Sequence, residues 1–292
     1  MSNATITHDR VQVRHPALDD PLADLPKYFM GVDAPDEVVG CHLIAVLSAI
    51  FPPGEDFFVR SVARVRHRVG DPELQAQVDA FIGQEDQHGE QHRRLNERLA
   101  AHGYPVRRVS RFVDRVARAV EGRLSPEANL AVTAALEHHT AVVAETLLDI
   151  EASRDHFAHD GVLALFCWHA LEESEHKAVA FDVYREIGGT EAMRIRAMHV
   201  MNVLFAVEVA LATAESTLRD RDAWRHPVVT LRSVGALARS PFLSRRLVRR
   251  VADYLDQGFH PDDADTEEMI ARWRRELFGA DGRLVDTAAG AA

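Results

Sequence analysis

Two segments of the chain place the pattern Glu-x-x-His in the middle of an apolar helical stripe. Glu85 and His88 form the first pair, and Glu173 and His176 form the second. Residues three positions apart lie about 60° apart around a helix, so both members of a pair can reach one metal ion. Carboxylate and imidazole groups together suit iron, manganese and zinc. Both pairs are therefore predicted metal ligands.

Two further glutamates lie in phase with the apolar residues of other predicted helices. Glu55 aligns with Phe58, and Glu137 aligns with Ala141. Buried carboxylates and imidazoles oppose folding unless they are paired or bind a cation. Four helices that each direct such groups inward predict two metal ions, as in di-metal carboxylate bundles. Since Glu-x-x-His also arises by chance, a core polar network or surface helices are the alternatives.

The elements that must position these ligands are all helices. Glycine and proline lie between long stretches of helix-forming residues, and no alternation of Val, Ile and Thr predicts a strand. Asp71-Pro72 and Ser125-Pro126 predict helix starts, and Gly188-Gly189 predicts a helix end. The predicted helices span 36–51, 54–69, 72–102, 111–121, 126–151, 159–187, 191–219, 227–238, 242–256 and 265–278.

This spacing predicts an all-α, ferritin-like four-helix bundle with a di-metal core and additional C-terminal helices. The long gap between Glu85 and Glu137 leaves room for the crossover connection of such folds. The predicted organisation is a flexible or loosely docked N-terminal arm, one helical domain and a disordered tail. The respective ranges are 1–30, 31–279 and 280–292, with the metal-binding core at 36–187 and a helical extension that covers it at 190–279.

Composition excludes several classes of protein. Acidic residues outnumber basic ones by 45 to 34, and the net charge of -11 argues against a nucleic-acid partner. The two cysteines, Cys41 and Cys167, allow neither a disulfide scaffold nor a cysteine zinc site. The first twenty residues are polar and do not resemble a secretory signal, so the expected location is cytoplasmic. The oligomeric state is undecided, and a homodimer stays open.

The segment from Ala197 to Ala214 is apolar and about as long as a minimal membrane span. It contains His199, Asn202 and Glu208, and basic residues do not cluster at its flanks. We therefore predict a buried helix that covers the bundle and lines an apolar pocket, and no transmembrane span.

At these residues the chain resembles the ferritin-like di-iron oxygenase superfamily, over residues 36–187. Three segments resemble more narrowly a bacterial family known as predicted metal-dependent hydrolases. These segments are Phe51–Phe58, Gln84–Glu90 and Tyr254–Pro261.

His169 lies four residues before Glu173, which makes the pattern similar to the His-x-x-x-Glu-x-x-His of p-aminobenzoate N-oxygenases. The ligand set that this resemblance implies is Glu55, Glu85, His88, Glu137, His169, Glu173 and His176. His92 is in phase and is either an additional ligand or a partner of one. We expect structural roles or contacts with the ligands for His138, His139 and Glu145. Glu172 is expected either to face solvent or to form a hydrogen bond.

The resemblance implies two iron ions, with manganese or zinc as alternatives. The expected function is a non-haem di-iron oxygenase, of hydroxylase or N-oxygenase type. It would use O₂ and an external electron donor to oxidise a small hydrophobic or aromatic substrate. The first alternative is a di-metal hydrolase, in which paired metals activate water. Iron storage and a non-enzymatic binding protein are the remaining alternatives. Storage is disfavoured because it requires only the four-helix core and no C-terminal extension.

Overall fold

The computed structural model describes residues 11–31 and 37–287, and within these ranges the chain is all-α, as predicted. Two isolated β-bridges there join Pro16 to Asp286 and Met30 to Phe157. The α-helices are α1 (Val38–Val65), α2 (Pro72–Ala101), α3 (Val106–Glu121), α4 (Pro126–Asp149), α5 (Glu151–Arg154), α6 (Asp160–His176), α7 (Val179–Glu186), α8 (Glu191–Arg219), α9 (Arg221–Arg225), α10 (Pro227–Arg239), α11 (Arg245–Asp253) and α12 (Glu267–Phe278). Short 3-10 helices span Arg66–Arg68, Pro241–Leu243 and Pro261–Asp263.

Side-chain caps begin two of the helices that carry predicted ligands. Asp71 accepts a hydrogen bond from the Glu73 N–H at 3.0 Å, at the start of α2. Ser125 accepts one from the Ala128 N–H at 3.2 Å, at the start of α4. Each cap satisfies an amide that has no partner within its own helix, and proline follows where no amide is needed. Both predicted helix starts are confirmed.

The prediction of separate helices at 36–51 and 54–69 is wrong, because α1 continues through Pro52 and Pro53. A proline inside a helix leaves the carbonyl four residues earlier without its usual donor. Here other helices supply donors to both carbonyls. The Asn96 side chain donates to the Ser48 carbonyl at 2.8 Å, and the Ser110 hydroxyl donates to the Ala49 carbonyl at 2.6 Å.

The helix predicted at 159–187 is interrupted after His176, and α7 follows from Val179. Lys177 lies at this interruption with its ammonium group buried. It donates to Glu145 at 3.2 Å, to the Ala264 carbonyl at 2.9 Å and to Thr266 at 3.1 Å. These partners come from distant parts of the chain, so the pattern of residues 159–187 could not show the interruption.

Four helices, α1, α2, α4 and α6, are called the core helices here. One apolar cluster joins the first halves of α1 and α6 to the second halves of α2 and α4. A second cluster joins the remaining halves of α1, α2 and α4 to α7. Helices α1 and α6 thus run opposite to α2 and α4. The connection from α2 to α4 must therefore return along the molecule, and α3 lies within it, beginning earlier than the predicted residue 111.

The arm predicted to be flexible lies against the core helices over its described residues, 11–30. Leu18, Leu22 and Phe29 are buried in the first apolar cluster, and Arg14 is buried among carboxylates. Residues 280–287 of the predicted tail are also in contact with the arm, since the Ala17 amide donates to the Val285 carbonyl at 2.9 Å. Residues 1–10 and 288–292 lie outside the described part of the chain.

The helix α8 has the predicted bounds, but the prediction that it is buried is wrong. Among the described residues, α1 and α8 are the two helices long and apolar enough to cross a membrane. The apolar window of α1 is 72% buried, whereas that of α8 is only 17% buried. Helix α8 packs on α1 and α4 through a narrow inner stripe that includes Met198, Ala212 and Ser216. No described element covers its outer side.

Candidate metal centre

The seven side chains of the predicted ligand set meet midway along the core helices, between the two apolar clusters. Helix α1 supplies one of them, α2 two, α4 one and α6 three. Each of these residues is at most 3% exposed. The members are Glu55, Glu85, His88, Glu137, His169, Glu173 and His176.

Three groups of these residues have ligand atoms close enough to share a cation, all within 4.8 Å of one another. The groups are Glu55 with His88 and His169, Glu85 with Glu137 and His176, and Glu85 with His88 and Glu173. The overlap of these groups indicates one extended centre with two positions for a metal ion.

One position is formed around His176. Its Nε2 atom lies 3.1 Å from Glu85 Oε1, 3.3 Å from Glu137 Oε2 and 3.7 Å from Glu173 Oε2. Imidazole nitrogen and carboxylate oxygen atoms at these separations can surround a divalent cation. Such a cation would require only small movements of the side chains.

The other position is formed around His88 and His169. His169 Nε2 lies 3.0 Å from Glu173 Oε1 and 3.6 Å from Glu55 Oε1. His88 Nδ1 lies 3.8 Å from Glu173 Oε1 and 3.8 Å from Glu85 Oε2. This position therefore combines two imidazoles with carboxylates from three helices.

Glu85 and Glu173 have one oxygen atom at each position. For both residues one oxygen lies near His176 and the other lies near His88. Glu55 and Glu137 instead each contact one position. If two metal ions were bound, Glu85 and Glu173 would contribute to holding both, and Glu55 and Glu137 would each contribute to holding one.

The charges at this centre are not balanced by hydrogen bonds within the described residues. Both oxygens of Glu55, Glu85 and Glu137 and one oxygen of Glu173 have no hydrogen-bond partner there. Burial and the neighbouring charge of Glu173 raise the pKa of Glu137 to about 8. Burial and the charge of Glu85 raise the pKa of Glu55 well above its usual value. Two divalent cations would provide the missing positive charge, so the residues fit a dinuclear metal site.

The orientation of His176 is set by Gln84. His176 Nδ1 donates to Gln84 Oε1 at 2.8 Å, which leaves the Nε2 lone pair directed at the carboxylates. Gln84 Nε2 in turn donates to Glu175 at 3.1 Å, and Glu175 forms an ion pair with Arg14 at 2.9 Å. This predicted metal ligand is thus held through a chain of contacts that ends in the N-terminal arm.

Glu172 supports His88 in a similar way. Its Oε2 atom lies 3.2 Å from His88 Nε2, while Oε1 lies 3.1 Å from Arg14. Glu172 is completely buried, so the prediction of a solvent-exposed side chain is wrong, and the interpretation as a hydrogen-bond partner is confirmed because Glu172 accepts from Arg14. A carboxylate on the outer nitrogen of a histidine fixes its tautomer and strengthens it as a ligand.

His92 is a partner of His169. Its Nε2 atom lies 2.8 Å from His169 Nδ1, and its Nδ1 atom lies 2.9 Å from the Ser48 hydroxyl. Both ring nitrogens are therefore engaged, which favours the support role over the ligand role. The Phe51 ring packs edge-on against both imidazoles, with ring centres 4.8 Å apart in each case.

Three other residues that the sequence singled out lie away from the ligands. His138 contacts the Arg250 carbonyl at 2.9 Å, and His139 contacts Asn202 at 2.7 Å. Glu145 forms ion pairs with Lys177 and Arg250. These residues attach α8, α11 and the α6–α7 junction to α4 and have structural roles.

Sequence reasoning missed Gln84, Glu175 and Arg14. Gln84 precedes Glu85 and Glu175 precedes His176, so sequence adjacency to a predicted ligand was the signal that could have identified them. Arg14 had no signal, because only the folded chain brings the arm to α6. A cavity of about 350 Å³ lies between α4 and the segment from Arg250 to Ala264, and none of the seven predicted ligands lines it. Its lining includes Ala141, one turn beyond Glu137, and Lys177, which follows His176.

Comparison with known proteins yields one match. A family described as predicted metal-dependent hydrolases matches residues 12–265, which include the arm from Gln12, all core helices and α8 to α11. No curated protein and no solved structure matches the chain significantly.

Proposed function

The chain belongs to the family of predicted metal-dependent hydrolases, and on this premise we propose that it is a hydrolase with a dinuclear metal centre. The observation that carries the proposal is the placement of Glu85 and Glu173. Each of these carboxylates has one oxygen at the first metal position and the other oxygen at the second. At a site for a single metal ion, neither carboxylate would need to contact both His88 and His176.

In this proposal His176 and Glu137 hold one ion, and Glu55, His88 and His169 hold the other. Two divalent ions held by these residues would supply an activated water and a polarised bond for it to attack. Gln84, Glu172 and His92 fix the ligand imidazoles, so the site requires little rearrangement when substrate binds. The apolar clusters at both ends exclude bulk water from the centre.

Hydrolysis requires a carbonyl or phosphoryl group to reach the centre. Water adds to that group, and the leaving group departs with a proton. We propose that the substrate approaches through the cavity lined by Ala141 and Lys177. Ala141 lies one helical turn from Glu137, and Lys177 follows His176 in the sequence.

The ligand set favours a second candidate, a di-iron oxygenase. Four carboxylates and three imidazoles on four helices correspond to the ligands of ferritin-like di-iron proteins, with His169 as an additional imidazole. Two ferrous ions at this site would supply electrons for O₂ reduction. A small hydrophobic or aromatic substrate and an external electron donor complete this candidate function.

One set of assays separates the two functions. Purified full-length protein is analysed for metals, then loaded with zinc, manganese or, without oxygen, ferrous iron. Turnover of p-nitrophenyl esters or phosphates that needs no O₂ would support the hydrolase. Oxygen consumption by the ferrous form alone, without hydrolysis, would replace it with the oxygenase. Folded protein that binds no stoichiometric metal would overturn both.

Matched variants link the activity to the centre. We expect Glu85→Ala to lose bound metal and activity, whereas Glu97→Ala, an exposed glutamate on the same helix, retains both. Free metal at about 100 times its dissociation constant stabilises the wild type by about 2.7 kcal/mol. Chemical denaturation with and without metal should show this increment for Glu97→Ala and a much smaller one for Glu85→Ala.

A further inference from the structure

Helices α8 and α10, which both pack on α1, expose large apolar side chains to solvent. The exposed fractions of these side chains range from 46% to 71%. This set, called the outer apolar face, consists of Val200, Val203, Leu204, Val207, Leu211 and Leu218 on α8 and Val228, Leu231 and Val234 on α10. The α8 members recur every three or four residues and so form one stripe along the helix.

Helices α8, α10 and α11 pack on the same two core helices, α10 on α1, α11 on α4 and α8 on both. On α1, the Val39 amide donates to Ser233 of α10 at 2.8 Å. Three residues later, His42 contacts Ser216 of α8 at 2.7 Å. On α4, the adjacent residues His138 and His139 contact α11 and α8, respectively. The three helices, called the C-terminal layer, therefore all pack on the pair of helices α1 and α4.

The part of the C-terminal layer that follows α8 is basic in an otherwise acidic protein. Residues 221–250 contain eight arginines and one acidic residue, Asp222, while the whole chain has a net charge of -11. Arg232, Arg239, Arg245 and Arg249 are exposed, and within the described residues they form no ion pair. Exposed apolar side chains beside unpaired arginines are typical of helices that lie on a membrane surface.

We propose that the outer apolar face and the adjacent arginines dock this protein on an anionic lipid bilayer. The apolar stripe would enter the boundary between headgroups and acyl chains, and the arginines would contact acidic headgroups. Helix α8 would lie flat, because His42–Ser216 and His139–Asn202 hold it against α1 and α4. The charge complementarity agrees with the predicted cytoplasmic location, since the cytoplasmic leaflet carries acidic lipids. The inference does not depend on the reaction that the metal centre performs.

A second copy of the chain fits this surface less well than an anionic bilayer does. A two-fold interface pairs a patch with the same patch of the partner. Two copies of the layer would bring arginines of one copy towards arginines of the other, with few acidic residues to offset the repulsion. Acidic lipids supply the opposite charge directly.

The test is flotation of full-length, metal-loaded protein with vesicles of phosphatidylcholine alone or with about one third phosphatidylglycerol. We expect binding to the anionic vesicles that weakens at high salt, and weak binding to the neutral ones. Val203→Glu combined with Leu211→Glu should abolish binding. Arg249→Glu should reduce the partition coefficient about fivefold or more, because each basic residue contributes about 1 kcal/mol.

Matched controls lie outside the layer. Val285→Glu replaces an exposed valine near the C-terminus, and Arg275→Glu replaces an exposed arginine of α12. Both should bind anionic vesicles like the wild type. The proposal is overturned if the wild type does not bind, or if all variants bind equally. It is also overturned if Val203→Glu with Leu211→Glu converts a dimer into a monomer in sedimentation while vesicle binding is absent.

Discussion

Helices α1 and α8 are nearly equal in apolar character but differ in their surroundings. Their most apolar windows have mean hydropathy values of 1.5 and 1.6, yet 72% of the first and 17% of the second are buried. Helix α1 is enclosed by α2, α3, α4, α8 and α10, whereas α8 packs mainly on α1 and α4. Hydropathy therefore identifies a helix that needs an apolar partner, and the fold determines whether that partner lies within the same chain.

The two helices also place their polar residues differently. Helix α1 buries His42, Ser48 and Ser61, and it also directs one carboxylate inward, Glu55 of the candidate metal centre. Helix α8 directs Ser216 and Asn202 inward, where they contact His42 and His139. Glu55 thus depends on a cation for charge balance, whereas Ser216 and Asn202 of α8 are satisfied by hydrogen bonds and the buried Arg194 of α8 is paired with Glu191.

The largest predicted effect comes from placing the same charge on each helix. Val46 of α1 is 2% exposed and Val203 of α8 is 61% exposed. We expect Val46→Glu to lower the free energy of unfolding by about 4 kcal/mol or more, because an unpaired carboxylate is buried. Val203→Glu should change it by less than about 0.5 kcal/mol. Chemical denaturation of both variants measures the difference, and equal losses would contradict the comparison.

An intermediate effect should follow from removing a donor to the proline-containing part of α1. Pro52 has no N–H to donate to the Ser48 carbonyl, so Asn96→Ala leaves this carbonyl without a hydrogen bond. We expect a loss of about 1–2 kcal/mol in the free energy of unfolding. Glu97→Ala, at the next and exposed position, is the control and should stay near the wild type. No difference between the two variants would show that another group serves this carbonyl.

The smallest effect concerns the polar anchor at the end of α8. Asp220 accepts hydrogen bonds from Lys27 and Tyr28, both at 2.7 Å. Burial would raise the pKa of Asp220, but the contacts with Lys27 and Tyr28 lower it to about 2. Because the pKa is lower in the folded state, this contribution is present above about pH 4 and is lost as the pH falls towards 2.

We expect Asp220→Asn to destabilise the protein by about 1 kcal/mol at neutral pH, since the anchor is partly screened by solvent. The variant should also lose less stability than the wild type between pH 4 and pH 2. Denaturation across this range provides the measurement, with Asp155→Asn at an exposed position as the control. Identical pH profiles for Asp220→Asn and the wild type would contradict the assignment.

Much of the candidate centre could be predicted from local sequence, because helical phase is a local property. The spacing from Glu85 to His88 and from His169 to His176 places these side chains on one face of a helix wherever the helix lies. The caps at Asp71 and Ser125 are equally local, since each side chain bonds an amide two or three residues later. The all-α class follows from the same regularities.

Contacts between distant segments could not be predicted in this way. The continuity of α1 through Pro52 and Pro53 depends on donors from α2 and α3. The support of His88 and His176 depends on Arg14, whose partners Glu172 and Glu175 lie more than 150 positions away. No short-range pattern contains both members of such a pair.

The sequence by itself determined which side chains share a helical face, because a backbone with 3.6 residues per turn leaves little freedom in that respect. The tertiary structure decided which faces meet. It brought Glu85 and Glu173 together so that each spans both metal positions, and it left the apolar stripe of α8 outside. The physical reason is that burial depends on the packing of whole helices, to which each residue contributes only a small part of the free energy.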